Sequence, residues 1–265
     1  VTDRGMTRRV GLLIEYDGTG FVGWQTQAKG LSVQSVLEAA ASRLAGGASV
    51  AATAAGRTDA GVHASGQVVH VDLPDTLSAL KIRDALNFHL KPHPVAVIEA
   101  ADVPADWSAR FSAIGRAYRF RILNRRARPA LLAHRVWHVQ RRLDETAMQA
   151  AAAILRGRHD FTSFRASSCQ ANSPMRTLDR LDVGRNGDMI EVIAEARSFL
   201  HHQVRNMVGT LKLVGDGVWP AGRVAEALAA RDRAAAGPTA PPDGLCLIRV
   251  DYPRNPFPPT VSPDW

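Results

Sequence analysis

The first periodic run of apolar positions, residues 9–16 (Arg9-Val10-Gly11-Leu12-Leu13-Ile14-Glu15-Tyr16), predicts a strand closed by the turn residues Asp17-Gly18-Thr19-Gly20. Ser32 then stands as the cap of a helix in which Val33, Val36, Leu37, Ala40 and Leu44 follow spacings of three, four and seven, with Gly46-Gly47 as its stop. A strand from Gln67 to Leu73, a helix around Leu80 to Leu90 and a strand from Pro94 to Ala100 follow, with Ala48 to Ala54 a candidate extra strand.

The second half repeats that grammar. Arg116 to Leu123 reads as a strand, and Asp144 caps a helix carrying Met148, Ala151, Ala152 and Leu155, with Gly157 at its end. Arg176 to Ala196 reads as two strands around Asn186-Gly187. Helices from about His201 to Val214 and near Arg223 to Arg231 precede a last strand, Leu245 to Tyr252. Ala234 to Asp243, rich in alanine and proline, reads as a surface loop, and Pro253 to Trp265 as a tail. Two successive halves of βαββαβ type predict an α+β protein of two ferredoxin-like lobes, residues 1–112 and 113–265, with a central antiparallel sheet and a cleft between the lobes.

Composition narrows the class. With 265 residues, 46% apolar and 22% charged, the chain has the makeup of a globular protein with ample core material. It lacks an apolar run of the roughly 18 residues that a membrane span needs and shows no hydrophobic signal core, so a cytoplasmic location without membrane association is expected. Cys169 and Cys246 stand far apart and form no CxxC pair, which leaves neither a disulfide framework nor a zinc ribbon.

Charge changes the picture more. The formal net charge is +8, and residues 110–142 hold ten arginines and no carboxylate, so that this segment carries +10 and the remainder −2. Such a concentration predicts a polyanionic partner, since otherwise the repulsion within the segment is unrelieved. The competing reading is a solvated basic face, favoured by the use of Arg for 29 of the 33 basic residues.

One segment carries candidate chemistry. In Gly56-Arg57-Thr58-Asp59-Ala60-Gly61-Val62-His63-Ala64, two glycines bracket an Arg, a Thr and an Asp just before a strand, a pattern able to present a carboxylate with backbone amides near it. Taken alone, Asp59 reads more readily as an Asx-turn residue bonded to its own backbone than as a catalytic group.

This segment resembles the signature loop of the TruA family of tRNA pseudouridine synthases. The resemblance extends through Tyr16-Asp17-Gly18-Thr19, Gly23-Trp24-Gln25, Val33-Gln34, Gly66-Gln67, Leu86-Asn87, Ala109-Arg110-Phe111 and Arg116-Ala117-Tyr118. It continues in His159-Asp160-Phe161, Phe199-Leu200 and Val204-Arg205-Asn206-Met207-Val208-Gly209. Phe120, where the family often has Tyr, and His202-Gln203, in place of a more apolar pair, depart from its pattern.

The resemblance implies a pseudouridine synthase fold and isomerisation of uridine to pseudouridine at positions 38–40 of the tRNA anticodon stem-loop. It implies Asp59 as nucleophile, at C1′ or at C6 of the base, with Arg205 as its cationic partner and Tyr118 stacking on the target base. It further implies a homodimer acting on tRNA and not on DNA. Arg57, Thr58 and Arg110 are candidates for phosphate or loop contacts, and Arg125, Arg126 and Arg128 for RNA binding. An isomerisation gains no atom and transfers no electron, so neither cofactor nor metal is expected. A non-catalytic RNA-binding module of the same lobes is the competing class, and it would need no Asp-bearing loop.

Overall fold

The computed structural model describes residues 7–258, and by contact they form two compact units: residues 7–114 with 247–258, and residues 115–246. The chain is mixed α/β with mostly antiparallel strands.

The first unit runs β1 (Thr7–Tyr16), α1 (Val33–Leu44), β2 (Thr53–Ala54), β3 (His63–Pro74), α2 (Ala79–Leu90) and β4 (Val95–Asp102). Strand β1 pairs antiparallel with β3 and β4, and β2 adds two residues to β3 through Thr53↔His70 and Ala54↔Val69. The candidate strand at Ala48–Ala54 is thus confined to its last two residues. Helix α1 starts as its sequence dictates: Ser32 Oγ accepts the Ser35 N–H at 3.0 Å and Ser35 Oγ accepts the Ser32 N–H at 3.3 Å. Its apolar face buries Val33, Val36, Leu37 and Ala40, and α2 adds Ile82, Leu86 and Leu90 to the same unit's core.

The second unit holds β5 (Gly115–Leu123), β6 (Trp137–His138), α3 (Glu145–Leu155), β7 (Gly157–Asp160), β8 (Met175–Asn186), β9 (Met189–Ala196), α4 (Gln203–Gly215) and α5 (Gly222–Ala230). The strand order is β5-β9-β8-β7 with antiparallel neighbours, and β6 lies parallel to β5. Strand β9 alternates buried and half-buried residues along its length, the pattern of a strand with one face on a core. Phe120, Phe161, Phe164, Leu143, Met148 and Leu211 fill that core at 0–1% exposure.

Besides the two-residue β6, which the sequence pattern did not announce, two elements depart from that pattern. Residues 157–160, expected only to end a helix, continue as β7, pairing Gly157↔Leu178 through Asp160↔Met175. The edge position suits so short and polar a run. At its end, burial pushes the Asp160 carboxyl up, but hydrogen bonds from the Thr162 hydroxyl at 2.6 Å and amide at 2.9 Å, with Arg231 and Arg165 nearby, hold it below its usual range. The second departure is the last strand, β10 (Leu245–Asp251): from Leu247 onward it belongs to the first unit, beside β3, and not to the second half of the chain. Gly66 permits this, because a Cβ there would lie 2.3 Å from the Ile248 carbonyl oxygen.

Candidate active site

Residues 56–62 form the loop between β2 and β3, and their surroundings in the first unit hold the loop at several points. Gln67, fully buried on β3, reaches back so that its Nε2 donates to the Gly56 carbonyl at 2.7 Å. The Thr58 hydroxyl lies 2.7 Å from the Tyr16 hydroxyl at the end of β1, and Gln67 Nε2 also lies 3.4 Å from that Tyr16 oxygen. The Trp24 amide donates to the Thr58 carbonyl at 3.0 Å and the Gly61 amide to the Phe21 carbonyl at 3.3 Å, so the turn after β1 backs the loop. Within the loop, the Val62 N–H closes a turn onto the Asp59 carbonyl at 3.1 Å.

Two glycines make that approach feasible. A Cβ on Gly18 would fall 2.1 Å from the Val62 carbonyl oxygen. Gly23, at φ +105, would place one 2.7 Å from the Thr58 carbonyl oxygen. Behind them the buried His63 ring accepts the Gly18 amide at Nδ1, 3.0 Å away, and the same nitrogen is 3.1 Å from the Asp17 carboxylate.

The half-buried Asp59 is thereby presented from a loop whose neighbours are fixed. Arg57 is exposed, whereas Thr58 is 6% exposed and its hydroxyl faces Tyr16. The geometry gives Thr58 a bracing role in the loop. Arg110 is also exposed and stands 5.4 Å over the ring of Phe111, itself 79% exposed.

The second unit positions the other candidates. Tyr118 sits in β5 opposite Ala194, is largely buried, and meets the Phe199 ring edge-on at 5.2 Å. Arg205 lies in the first turn of α4, half-buried, and its Nε donates to the Ala240 carbonyl at 2.8 Å. The start of α4 is unusual: its N-cap, His202, adopts φ 62 and ψ 4 and makes no side-chain cap. Gln203 instead folds back, its Oε1 accepting the Leu200 N–H at 2.8 Å.

The loop of residues 234–243, expected at the surface, packs closely on α4. Ala240 is 1% exposed and its N–H donates to the Arg205 carbonyl at 3.1 Å, while a Cβ on Gly209 would lie 1.8 Å from the Pro238 carbonyl oxygen. Asn206, Arg233 and Thr239, which no sequence motif singled out as functional, tie this loop to the helix. The signal available in the sequence was the pair Gly209 and Gly237, glycines that let two backbones meet.

The basic segment proves partly neutralised. Arg121 meets Glu191 on the paired strand at 2.9 Å, with Arg119 at 3.9 Å from the same carboxylate. Arg116 turns inward to donate to the Arg197 carbonyl at 2.6 Å, and Arg125 lies 3.8 Å from Asp188. The relief is partial, and its carboxylates, Glu191 and Asp188, come from β9 and its hairpin turn. Arg126 and Arg128 are exposed.

Comparison with known proteins gives a consistent picture. A family model described as tRNA pseudouridine synthase matches residues 12–112 and 151–253. Asp59 and Arg205 fall within the matched stretches; Tyr118 and the arginines at 125, 126 and 128 fall between them. The tRNA pseudouridine synthase A of Acidiphilium cryptum is 71% identical over 252 residues, covering 95% of this chain and 99% of the relative. That of Gluconobacter oxydans is 57% identical over 94% of this chain and 91% of its own length. The Paramagnetospirillum magneticum protein of the same name is 61% identical, over 92% and 95%.

Proposed function

Because the chain belongs to the tRNA pseudouridine synthase family, isomerases that convert uridine to pseudouridine in tRNA, we propose that it acts at positions 38–40 of the anticodon stem-loop, with Asp59 as nucleophile and no cofactor. The observation that carries this reading is the bracing of the Asp59 loop. Gln67, Trp24 and Phe21 hold the backbone on both sides of one partly buried carboxylate, and Tyr16 meets the Thr58 hydroxyl beside it. Such rigidity is what a nucleophile needs and what a mere RNA-binding surface does not.

The reaction breaks the C1′–N1 bond, turns the base, and joins C1′ to C5. The proton leaving C5 is balanced by one gained at N1, so the product has the atoms of the substrate. The Asp59 carboxylate supplies the electron pair: bonded to C1′ it is displaced as C1′ joins C5, and bonded to C6 it leaves afterwards, by elimination with the C5 proton. Arg205 supplies the counter-charge to that carboxylate. Tyr118 supports the base by stacking and lies on the strand from which a hydroxyl can assist loss of the C5 proton.

A base in a stem must leave its stack before this chemistry, at a cost of a few kcal/mol offset by phosphate contacts. The exposed arginines at 57, 110, 125, 126 and 128 supply these, with two subunits of a homodimer together holding the tRNA. A substrate of this kind places the enzyme in the cytoplasm, and among the described residues no helix is long and apolar enough to cross a membrane.

Tritium release from C5-labelled uridine in tRNA, measured beside filter binding, tests the assignment. Asp59→Ala should lower turnover by more than about a thousandfold while affinity for tRNA stays within about threefold. Turnover near wild type in that variant would remove Asp59 from the chemistry.

A further inference from the structure

Helix α4 carries Arg205, and the segment that touches its first two turns is residues 233–240, about thirty positions further along the chain. Arg233 is the centre of this contact. Its Nη1 donates to the Gly237 carbonyl at 2.9 Å, and its Nη2 donates to Asn206 Oδ1 and to Thr239 Oγ1, each at 3.1 Å. The Thr239 hydroxyl passes its own proton to Asn206 Oδ1 at 2.7 Å, and Asn206 Nδ2 donates to the Phe164 carbonyl at 2.8 Å. Asn206 is completely buried and its bond to Phe164 lies in the interior, while Arg233 and Thr239 are half-buried.

The donors and acceptors run in one consistent direction. The Gly237 amide donates to Thr210 Oγ1 at 2.9 Å, and that hydroxyl donates to the Asn206 carbonyl at 2.8 Å. Among the described residues Arg233 has no carboxylate partner, and all its bonds go to neutral oxygens. A guanidinium placed so is a cross-link between backbone segments, its planar fork matching several acceptors at once.

The consequence falls on Arg205. Ala240 accepts from Arg205 Nε at 2.8 Å while its own N–H donates to the Arg205 carbonyl at 3.1 Å, so one residue grips both ends of Arg205. With Nε committed to Ala240, the guanidinium plane is fixed. We propose that Arg233, acting through Asn206, Thr239 and the loop ending at Ala240, is a positioning residue for Arg205 in the isomerisation.

This inference rests on the reading of Arg205 as the partner of the Asp59 carboxylate. It also gives Asn206 and Gly209, which lie beside Arg205 on the same helix, a common purpose. The Asn206 amide anchors the loop, and the missing side chain of Gly209 lets the Pro238 carbonyl approach. A network that served stability alone would affect folding without regard to what residue 205 is.

The experiment is a double-mutant cycle on the full chain, with kcat and KM for tRNA from tritium release and thermal unfolding followed in parallel. Arg233→Lys should lower kcat by about tenfold with KM within about twofold, and Thr239→Val by a smaller factor in the same direction. In the Arg205→Lys background either substitution should change kcat by less than about twofold, because the group they orient is gone. Equal losses in both backgrounds, or an unchanged kcat in Arg233→Lys, would overturn the inference. Should Arg233→Lys fail to fold, Thr239→Val carries the same cycle with one hydroxyl removed. Wild-type turnover in Arg205→Ala would defeat the reading of Arg205 itself, and the inference with it. A loss in Arg205→Ala without coupling to residue 233 or 239 defeats the inference alone.

Discussion

The loop that bears Asp59 and the helix that bears Arg205 are held by opposite means. The loop is braced by residues close to it in sequence or in the adjoining strands: Gln67, five residues after the loop, and Tyr16 at the end of the strand that pairs with β3. Its backbone strain is carried by glycines, which adopt such angles without penalty. Helix α4 begins on a non-glycine residue in the left-handed region and takes its bracing from a loop far along the chain. Both segments are fixed in place, but only the Asp59 loop is built from locally favourable conformations. The other is maintained by packing that overrides an unfavourable backbone.

The glycines of the two segments are their most sensitive positions. Gly209→Ala would gain helix propensity in an isolated helix, yet its Cβ meets the Pro238 carbonyl at 1.8 Å, so the variant should lose about 3 kcal/mol of stability together with turnover. Gly23→Ala, at φ +105 and against the Thr58 carbonyl, should lose about 2 kcal/mol and most of its activity. Denaturant unfolding and tritium release check both. If Gly209→Ala unfolds at the wild-type midpoint, the loop does not grip α4.

A milder test addresses the hydroxyl pair. Tyr16→Phe keeps the ring packed and removes one partner of a buried 2.7 Å hydrogen bond, which should cost about 1–2 kcal/mol. A fall in kcat at constant KM is the expected kinetic counterpart, since the loop and not the RNA surface is disturbed. A rise in KM alone would show that Tyr16 belongs to binding.

The smallest effect separates backbone from side chain at the start of α4. His202→Gly and His202→Ala both delete the imidazole, but only glycine accepts φ 62 without cost. The Gly variant should therefore be more stable than the Ala variant by about 1 kcal/mol. Equal melting temperatures would mean that the left-handed turn stores no strain.

Locally determined features of the fold are written in the sequence. The Ser32 cap, the apolar stripe of α1 and the hairpin at Asn186-Gly187 obey local rules, and the structure has them where the spacing places them. The Asp59 loop was visible because its glycines, Arg and Thr sit together in nine consecutive residues. The clamp on Arg205 was not, because alanine and proline between 234 and 243 give the composition of a surface loop while Ala240 is buried. Likewise the carboxylates that meet the arginines of β5 lie about seventy residues later, on a strand whose register the sequence does not state. Non-local pairing is the common cause of each miss.

The return of β10 to the first unit bears on the order in which the protein is made. Residues 7–114 leave the ribosome with part of the β3 edge covered by β2 and the remainder awaiting a strand that is encoded after the whole of the second unit. At about 5–20 residues per second, that interval lasts on the order of ten seconds. During it the nascent first unit exposes an open strand edge, the feature most prone to pair with a neighbouring chain. The second unit, by contrast, is contiguous in the chain. Biosynthesis therefore completes the Asp59-bearing unit last, although it is translated first.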